Sequence, residues 1–392
     1  MRHRAWVLAA ASAIVALLAW GAGAGIPIFF GDPLTGLSLE LTGRFFAGKD
    51  EFEEVDTVEE GLGPVFNGDS CAACHSNPVT GGDSDIFVTR FGTITDKHFD
   101  PLAQFGGSLI QSHGIGPVGA CDFAGETVPP EATIVAHRKT TPLFGLGLVD
   151  AVPDKTFLLL AQLEKNVSPA TAGRPNIVTD LTTGRQAVGK FGWKGQNPNL
   201  MQFSGDAYLN EMGITNPLFP AENCPNGDCA AISACLPAAE LEDDGTSVAA
   251  FADFMTLLGP PPRGPLSPAA AAGERVFLRI GCGACHLPVL VTGRSPVTAL
   301  NKVVFHPYSD FLLHDMGALG DGIEQGRAKG REMRTAPLWG LRARASYLHD
   351  GHALTLDAAV LAHDGQGKYA RNRFNALSAS DAQKLIAFLN SL

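Results

Sequence analysis

The run Cys-x-x-Cys-His occurs twice in this 392-residue chain, as "CAACH" at 71–75 and as "CGACH" at 282–286. Two thiols three residues apart with an imidazole directly after must be presented on one tight turn. Each run therefore dictates a local shape as well as a chemistry. A zinc site needs four ligands, usually from a second Cys-x-x-Cys or a nearby pair of histidines, and neither follows Cys74. A thioredoxin-type redox pair sits in a βαβ setting, which the surrounding sequence does not offer. Attachment of c-type haem uses every residue of the run. Cys71 and Cys74, and again Cys282 and Cys285, add to vinyl groups, and His75 and His286 follow as proximal iron ligands. The sequence thus predicts two covalently bound haem c groups.

The first residues, "MRHRAWVLAAASAIVALLAWGAGAG", have a basic start, an apolar run from Ala5 to Trp20 and small residues before Gly25. This reads as a secretory signal peptide over 1–24, cut after Ala24. The apolar run falls short of the about 20 residues that span a bilayer. A periplasmic protein is expected, with no membrane partner once the signal is removed. Its removal deletes two arginines and no acid, taking the net charge from −11 to −13. So acidic a surface argues against nucleic acid as a partner. Four cysteines remain outside the repeated runs: Cys121, Cys224, Cys229 and Cys235. In an exported chain they should pair, and three pairings exist. The close spacing of Cys224 and Cys229 favours a local bridge, with Cys121–Cys235 as its complement; the other two pairings stay open.

Glycine (45) and proline (26) together approach a fifth of the chain, so loops and short elements should dominate. Similarity between the halves extends past the cysteine runs. "TTPLFGL" (140–146) matches "TAPLWGL" (335–341), and Phe66 precedes Cys71 by five residues as Phe277 precedes Cys282. Each half also ends in an amphipathic helix, at 247–258 and at 378–392. The second carries Leu385, Leu389 and Leu392 on one face and Ser378 or Ser380 as its cap. Between them "GPPPRGPLSP" (259–268) cannot continue a helix and reads as a linker. The expected fold is mostly α and loop-rich: two tandem cytochrome c-like domains, 25–258 and 269–392, with an enlarged first half. Its excess, about 147–190 and 205–245, is expected to cover the first haem. "GIGPVG" (114–119) fits a nucleotide-binding glycine pattern but has no strand before it and a proline inside it, and "ELEDD" (240–244) reads as a solvated acidic run.

"GLGPVFNGDSCAACH", "TPLFGLGLVDAVP", "FGWKGQ", "NEMGIT", "FLLHDMG", "TAPLWGL" and "YLHDG" together resemble the di-haem oxidoreductase group of the di-haem cytochrome c peroxidase and methylamine-utilisation superfamily. The resemblance covers nearly all of the chain after residue 24. It implies a reactive haem on His75 and an electron-transfer haem on His286. It implies Trp193 between the two haems, and Gln202 and Glu211 as a distal amide and carboxylate. Peroxide cleavage needs a base that moves a proton between the two oxygens, which suits a glutamate. In the peroxidases the second haem's sixth ligand is a methionine fourteen residues after the "HDG" histidine. That histidine is His349 here, and the residue fourteen on is His363, with Met316 as a rival. Histidine in place of methionine removes a ligand that raises haem potential. His314 and Asp315, and His349 and Asp350, are expected beside the second haem, contacting propionates or orienting ligands. His98, His113 and His137 are each able to close the first iron, but no spacing selects one, so that iron is expected to be open or water-bound. The resemblance also allows a calcium ion between the domains.

Three functions fit these residues. The first is a peroxidase fed by a small cytochrome c or cupredoxin, with hydrogen peroxide as substrate. The second is an oxidase or oxygenase acting on an organic or protein substrate. The third is a plain electron carrier, which would have no use for Gln202 and Glu211 above an open iron. Substrate choice should lie in the loops around 95–135 and 205–245.

Overall fold

The computed structural model describes residues 28–236 and 241–392. The expected signal peptide and its cleavage point lie outside the described residues. Eleven α-helices occur among the described residues. The first half holds α1 (Leu39–Glu53), α2 (Cys71–Cys74), α3 (Leu146–Asp150), α4 (Asp154–Val167), α5 (Leu200–Met212), α6 (Cys229–Cys235) and α7 (Thr246–Leu257). The second half holds α8 (Pro268–Ile280), α9 (Leu356–Ala362), α10 (Lys368–Asn375) and α11 (Ala379–Leu389). No helix of the described residues is long and apolar enough to cross a membrane.

One packing device occurs in both halves. Helix α1 lies against α7, and α8 against α11, and each pair crosses at a glycine. A Cβ on Gly48 would stand 2.3 Å from the Ala250 carbonyl oxygen, and one on Gly273 would stand 1.9 Å from that of Lys384, so no larger residue allows the approach. One helical turn on from these glycines stand Phe52 and Phe277, both buried. Their rings pack on Phe254 and Phe388 at 4.9 and 5.3 Å, and lie 5.9 and 6.4 Å from the rings of His75 and His286. Each pair thereby sets an aromatic wall beside one Cys-x-x-Cys-His histidine. The sequence assigned this role in the first half to Phe66. Instead, Phe66 belongs to a two-residue strand paired with His113 and stacks on that ring at 5.6 Å. A longer connection separates α1 from Cys71, and Phe52 holds the equivalent place. The helix starts are capped as their sequences suggest. Ser38, Ser267 and Ser378 each accept an amide hydrogen from three residues on, which makes Ser378, rather than Ser380, the cap of α11.

The strands are short. The largest sheet pairs Phe87–Thr95 with His98–Asp100, Leu109–Ile110 and Ile134–Lys139, all antiparallel. Disulfides join Cys121 to Cys235 and Cys224 to Cys229, and the four cysteines of the two repeated runs take no part in either.

Residues 259–267 carry no helix or strand, and Pro268 opens α8. The apolar core nonetheless runs across this boundary, since Phe144, Phe254 and Leu258 share one cluster with Leu290, Phe305 and Trp339. The segment 147–190 also crosses. Expected to cover the first haem, it reaches the second half as well: Ser168–Thr171 line a cavity beside His286, and Arg174 exchanges backbone hydrogen bonds with Leu313. Buried charges pin the joint. Asp321 of the second half takes Arg138 Nη2 at 2.6 Å and Lys194 Nζ at 2.9 Å, all three side chains being at most 3% exposed.

Candidate functional site

At the first run, Ser70 Oγ accepts the Ala73 amide at 3.1 Å and starts the turn, and the His75 amide closes it on the Cys71 carbonyl at 3.1 Å. His75 Nδ1–H donates to the Gly82 carbonyl at 3.1 Å. That bond fixes the tautomer and leaves Nε2 free for a metal. Gly82 is required there, because a Cβ would fall 1.9 Å from the Asn77 carbonyl oxygen. Burial pushes the His75 imidazole down to about 4, so at neutral pH it is in its neutral, ligating form. Burial also pushes both thiols up, Cys74 to about 11. That is the reverse of what a reactive thiolate pair needs.

The second run repeats this. His286 Nδ1–H donates to the Tyr308 carbonyl at 3.0 Å, and burial holds the ring at about 4. Facing it is His363, at the C-terminal end of α9, whose Nδ1–H donates to the Ala359 carbonyl at 2.8 Å. The two ring centres are 6.3 Å apart. Two imidazoles on one metal, each bond about 2 Å and each ring centre about 1 Å beyond its nitrogen, require about 6 Å. The donor pair therefore fits one iron. Both rings border a mostly apolar cavity of about 740 Å³, within the size range of sites for small organic groups. Cys282, Cys285, Met316, His314 and His349 line the same cavity.

His314 is buried and bonded through Nε2 to Asp310 at 2.9 Å, with Nδ1 3.5 Å from Cys285 Sγ. Burial opposes a charge on this ring, yet Asp310 holds its pKa well above the ordinary value. Its protein neighbours are thus a carboxylate and a thiol. Asp315 binds Arg331. The His349 ring lies 6.2 Å from that of Trp193, edge to face. Trp193 donates its indole N–H to the Lys139 carbonyl at 2.8 Å. It borders both the large cavity and a small one walled by Phe191, Phe203 and Leu146 of the first half. His98, His113 and His137 are exposed, and among the described residues no second imidazole faces His75.

Gln202 and Glu211 are not brought together. Both lie on α5, and nine residues at about 100° each put them on opposite faces. Gln202 Oε1 accepts the Leu181 amide at 2.8 Å, fastening α5 to the 176–189 hairpin. Glu211 points the other way, toward the first run. Its carboxylate accepts Asn67 Nδ2 at 2.9 Å, its carbonyl accepts the Asn67 and Gly68 amides, and its charge is felt at Cys74. Burial raises the pKa of Glu211 and also that of Asp206, with Arg90 near enough to oppose both shifts. Neither Asp206 nor Arg90 was marked by sequence spacing.

Residues 130–392 match the family model described as "Di-haem oxidoreductase, putative peroxidase". The chain belongs to the di-haem oxidoreductase family. It is accordingly an oxidoreductase, and the family implies haem cofactors. The matched region of this di-haem oxidoreductase contains the second run, Trp193 and His363, while the run at 71–75 precedes it. No curated protein matches the chain. Among solved structures it is similar to hydrazine synthase from Kuenenia stuttgartiensis, at 14% identity, covering 95% of this chain and 98% of that one with a TM-score of 0.41. It is also similar to a MauG-like protein associated with microbial copper homeostasis, at 15% identity, covering 95% of each chain with a TM-score of 0.39. The diheme peroxidase BthA from Burkholderia thailandensis matches at 14% identity, covering 93% of this chain and 87% of that one with a TM-score of 0.39.

Proposed function

We propose that this di-haem oxidoreductase is an exported, periplasmic enzyme that reduces hydrogen peroxide at a haem c held by Cys71, Cys74 and His75. Its electrons would come from a small cytochrome or cupredoxin, through a haem c held by Cys282, Cys285 and His286 and through Trp193. One observation carries the reading. His286 is faced by a second imidazole, His363, whereas a half-buried carboxyl, Glu211, stands beside the first run. A haem c, when bound, supplies an iron that exchanges single electrons and takes up a further ligand where one axial position is open.

His286 and His363 would together hold the iron of the second haem, an arrangement that would suit electron storage and leave substrate no place on that metal. Glu211, its pKa raised by burial, suits taking a proton and returning it, with Asn67 holding the carboxylate in place. The indole N–H of Trp193 is committed to the Lys139 carbonyl, which fixes its ring plane and supports its use as the relay. A second reading, oxidation of an organic or protein substrate, is favoured by His363 itself. Histidine–histidine ligation lowers the potential relative to histidine–methionine and makes the pair easier to oxidise.

The test is turnover of hydrogen peroxide with a reduced small cytochrome, run beside cyanide binding and intact-mass measurement. Two haems by mass, donor oxidation linked to peroxide loss, and cyanide perturbing only one haem are expected. Two irons closed to cyanide would make the protein an electron carrier, and oxidised organic product formed without a donor would select the second reading.

A further inference from the structure

Buried cations in this protein are answered by carboxylates. Among the described residues Lys139 meets Asp83 at 3.1 Å, Lys190 meets Asp154 at 3.4 Å, and Lys194 and Arg138 share Asp321. Arg334 is the buried exception, and the half-buried Arg344 beside it in the cavity wall also lacks a carboxylate. Arg334 is buried, its Nε donates to the Gly192 carbonyl at 2.7 Å and its Nη1 to the Thr335 carbonyl at 3.1 Å, and it forms no ion pair. Arg344 makes no ion pair either, and its Nε is buried without a hydrogen-bond partner. The acids whose charge reaches them are already engaged: Asp310 by His314, and Asp83 by Lys139. An arginine keeps its charge when buried, and a buried charge without a counter-ion is costly. Both side chains border the large apolar cavity, and both also border the small cavity on the far side of Trp193.

We propose that Arg344 and Arg334 form a carboxylate clamp for the propionates of the haem attached at Cys282 and Cys285. This rests on the reading that a haem fills that cavity. The two thioether bonds fix one edge of the ring system at the cysteines, and the propionates leave the opposite edge, the only anionic part of an otherwise apolar group. Their counter-charge must come from the wall they reach. Arg344 has unused donors to give, in the planar fork that suits a carboxylate. Arg334 links the same wall to the relay, because its Nε holds the Gly192 carbonyl and its amide donates to the Trp193 carbonyl at 2.9 Å. The clamp thus sets the carboxylate edge of the second haem against the Trp193 loop. Its positive charge also favours the reduced haem, opposing the lowering of potential by the second histidine.

The test uses the full-length holoprotein with Arg344→Gln and Arg344→Lys, read by intact mass, by redox titration of the low-spin haem and by its propionate-bending bands in resonance Raman spectra. Arg344→Gln should shift the one-electron reduction equilibrium about tenfold toward the oxidised haem, about 59 mV, and should move a propionate band. Arg344→Lys should keep the potential, because the charge remains, but move the band, because an ammonium lacks the fork. If Arg344→Gln does not accumulate, the band shift in Arg344→Lys decides alone. Two haems by mass with potential and bands unmoved in these variants would overturn the clamp. A wild-type protein with no haem at Cys282 and Cys285 would instead overturn the reading beneath it.

Discussion

Replacing Asp321 by Asn keeps the side-chain volume and removes the one carboxylate that Arg138 and Lys194 share. The cost divides unequally between the two cations. Burial has already pulled Lys194 down to about 8, and Asp321 is the main influence holding it even there. Without Asp321 the amine simply stays neutral, so its loss is capped at about 1.4 kcal/mol per pH unit below 8, or about 3 kcal/mol near pH 6. Arg138, held near 10, has no such escape, and a broken buried pair costs at least about 3 kcal/mol. The expected destabilisation is therefore about 6 kcal/mol near pH 6 and about 3 kcal/mol near pH 9, where Lys194 is neutral even in the native protein. At about 2 °C per kcal/mol for a chain of this size, the melting temperature should fall by roughly 12 °C and 6 °C respectively. Thermal unfolding at the two pH values, followed by near-ultraviolet circular dichroism, measures both. Lys194→Met combined with Asp321→Asn should erase the difference between them. Equal losses at both pH values, or a loss below about 1 kcal/mol, would refute this account of the joint.

His363→Ala should open the second centre to cyanide, and His363→Met should raise that haem's potential while leaving it low-spin; optical spectra and redox titration check both. Glu211→Gln should slow the reaction with peroxide about 10²-fold in stopped-flow mixing, the usual scale for losing a general acid–base. Gln202→Leu should leave that rate unchanged and lower stability by about 1–3 kcal/mol, because the Leu181 amide loses its acceptor. Glu222 has a buried, unpartnered oxygen, and burial together with Glu242 pushes its carboxyl up to about 8. A raised carboxyl contributes stability that is complete below its unfolded value near 4.5 and lost as pH rises through 8. Glu222→Gln should therefore flatten the pH–stability curve over that window and stabilise the protein by a few kcal/mol at its upper end.

Features fixed by neighbouring residues were legible in the sequence. The two Cys-x-x-Cys-His turns, the closing helices, the Ser378 cap and the local Cys224–Cys229 bridge all rest on residues within a few positions of one another. Phe66 misled because distance from Cys71 was counted without the connection that lengthens the first half. The signal that survives that insertion is the glycine four residues before the phenylalanine, "GKDEF" at 48–52 and "GERVF" at 273–277. Gln202 and Glu211 were assigned as a pair by family resemblance, which says nothing about the face of a helix each occupies. The crossing of segment 147–190 to the second half, and the unpaired arginines of the cavity wall, depend on contacts between residues more than a hundred positions apart, where no local pattern speaks.

Residues 192–194 are stitched into the second half by main chain and side chain alike: Arg334 holds the carbonyls of Gly192 and Trp193, and the Lys194 ammonium takes Asp321 and the carbonyls of Lys329 and Gly330. Lys139, whose carbonyl receives the indole, is itself tied to Ser346 at 2.9 Å and through its amide to the His349 carbonyl. Such a joint is a weld, with no hinge for one half to swing on. Whatever one centre learns of the other's state must therefore travel as charge and proton occupancy through fixed matter. Mutations that alter the traffic should do so by changing electrostatics at this seam, and variants that loosen it should lose the connection altogether instead of tuning it.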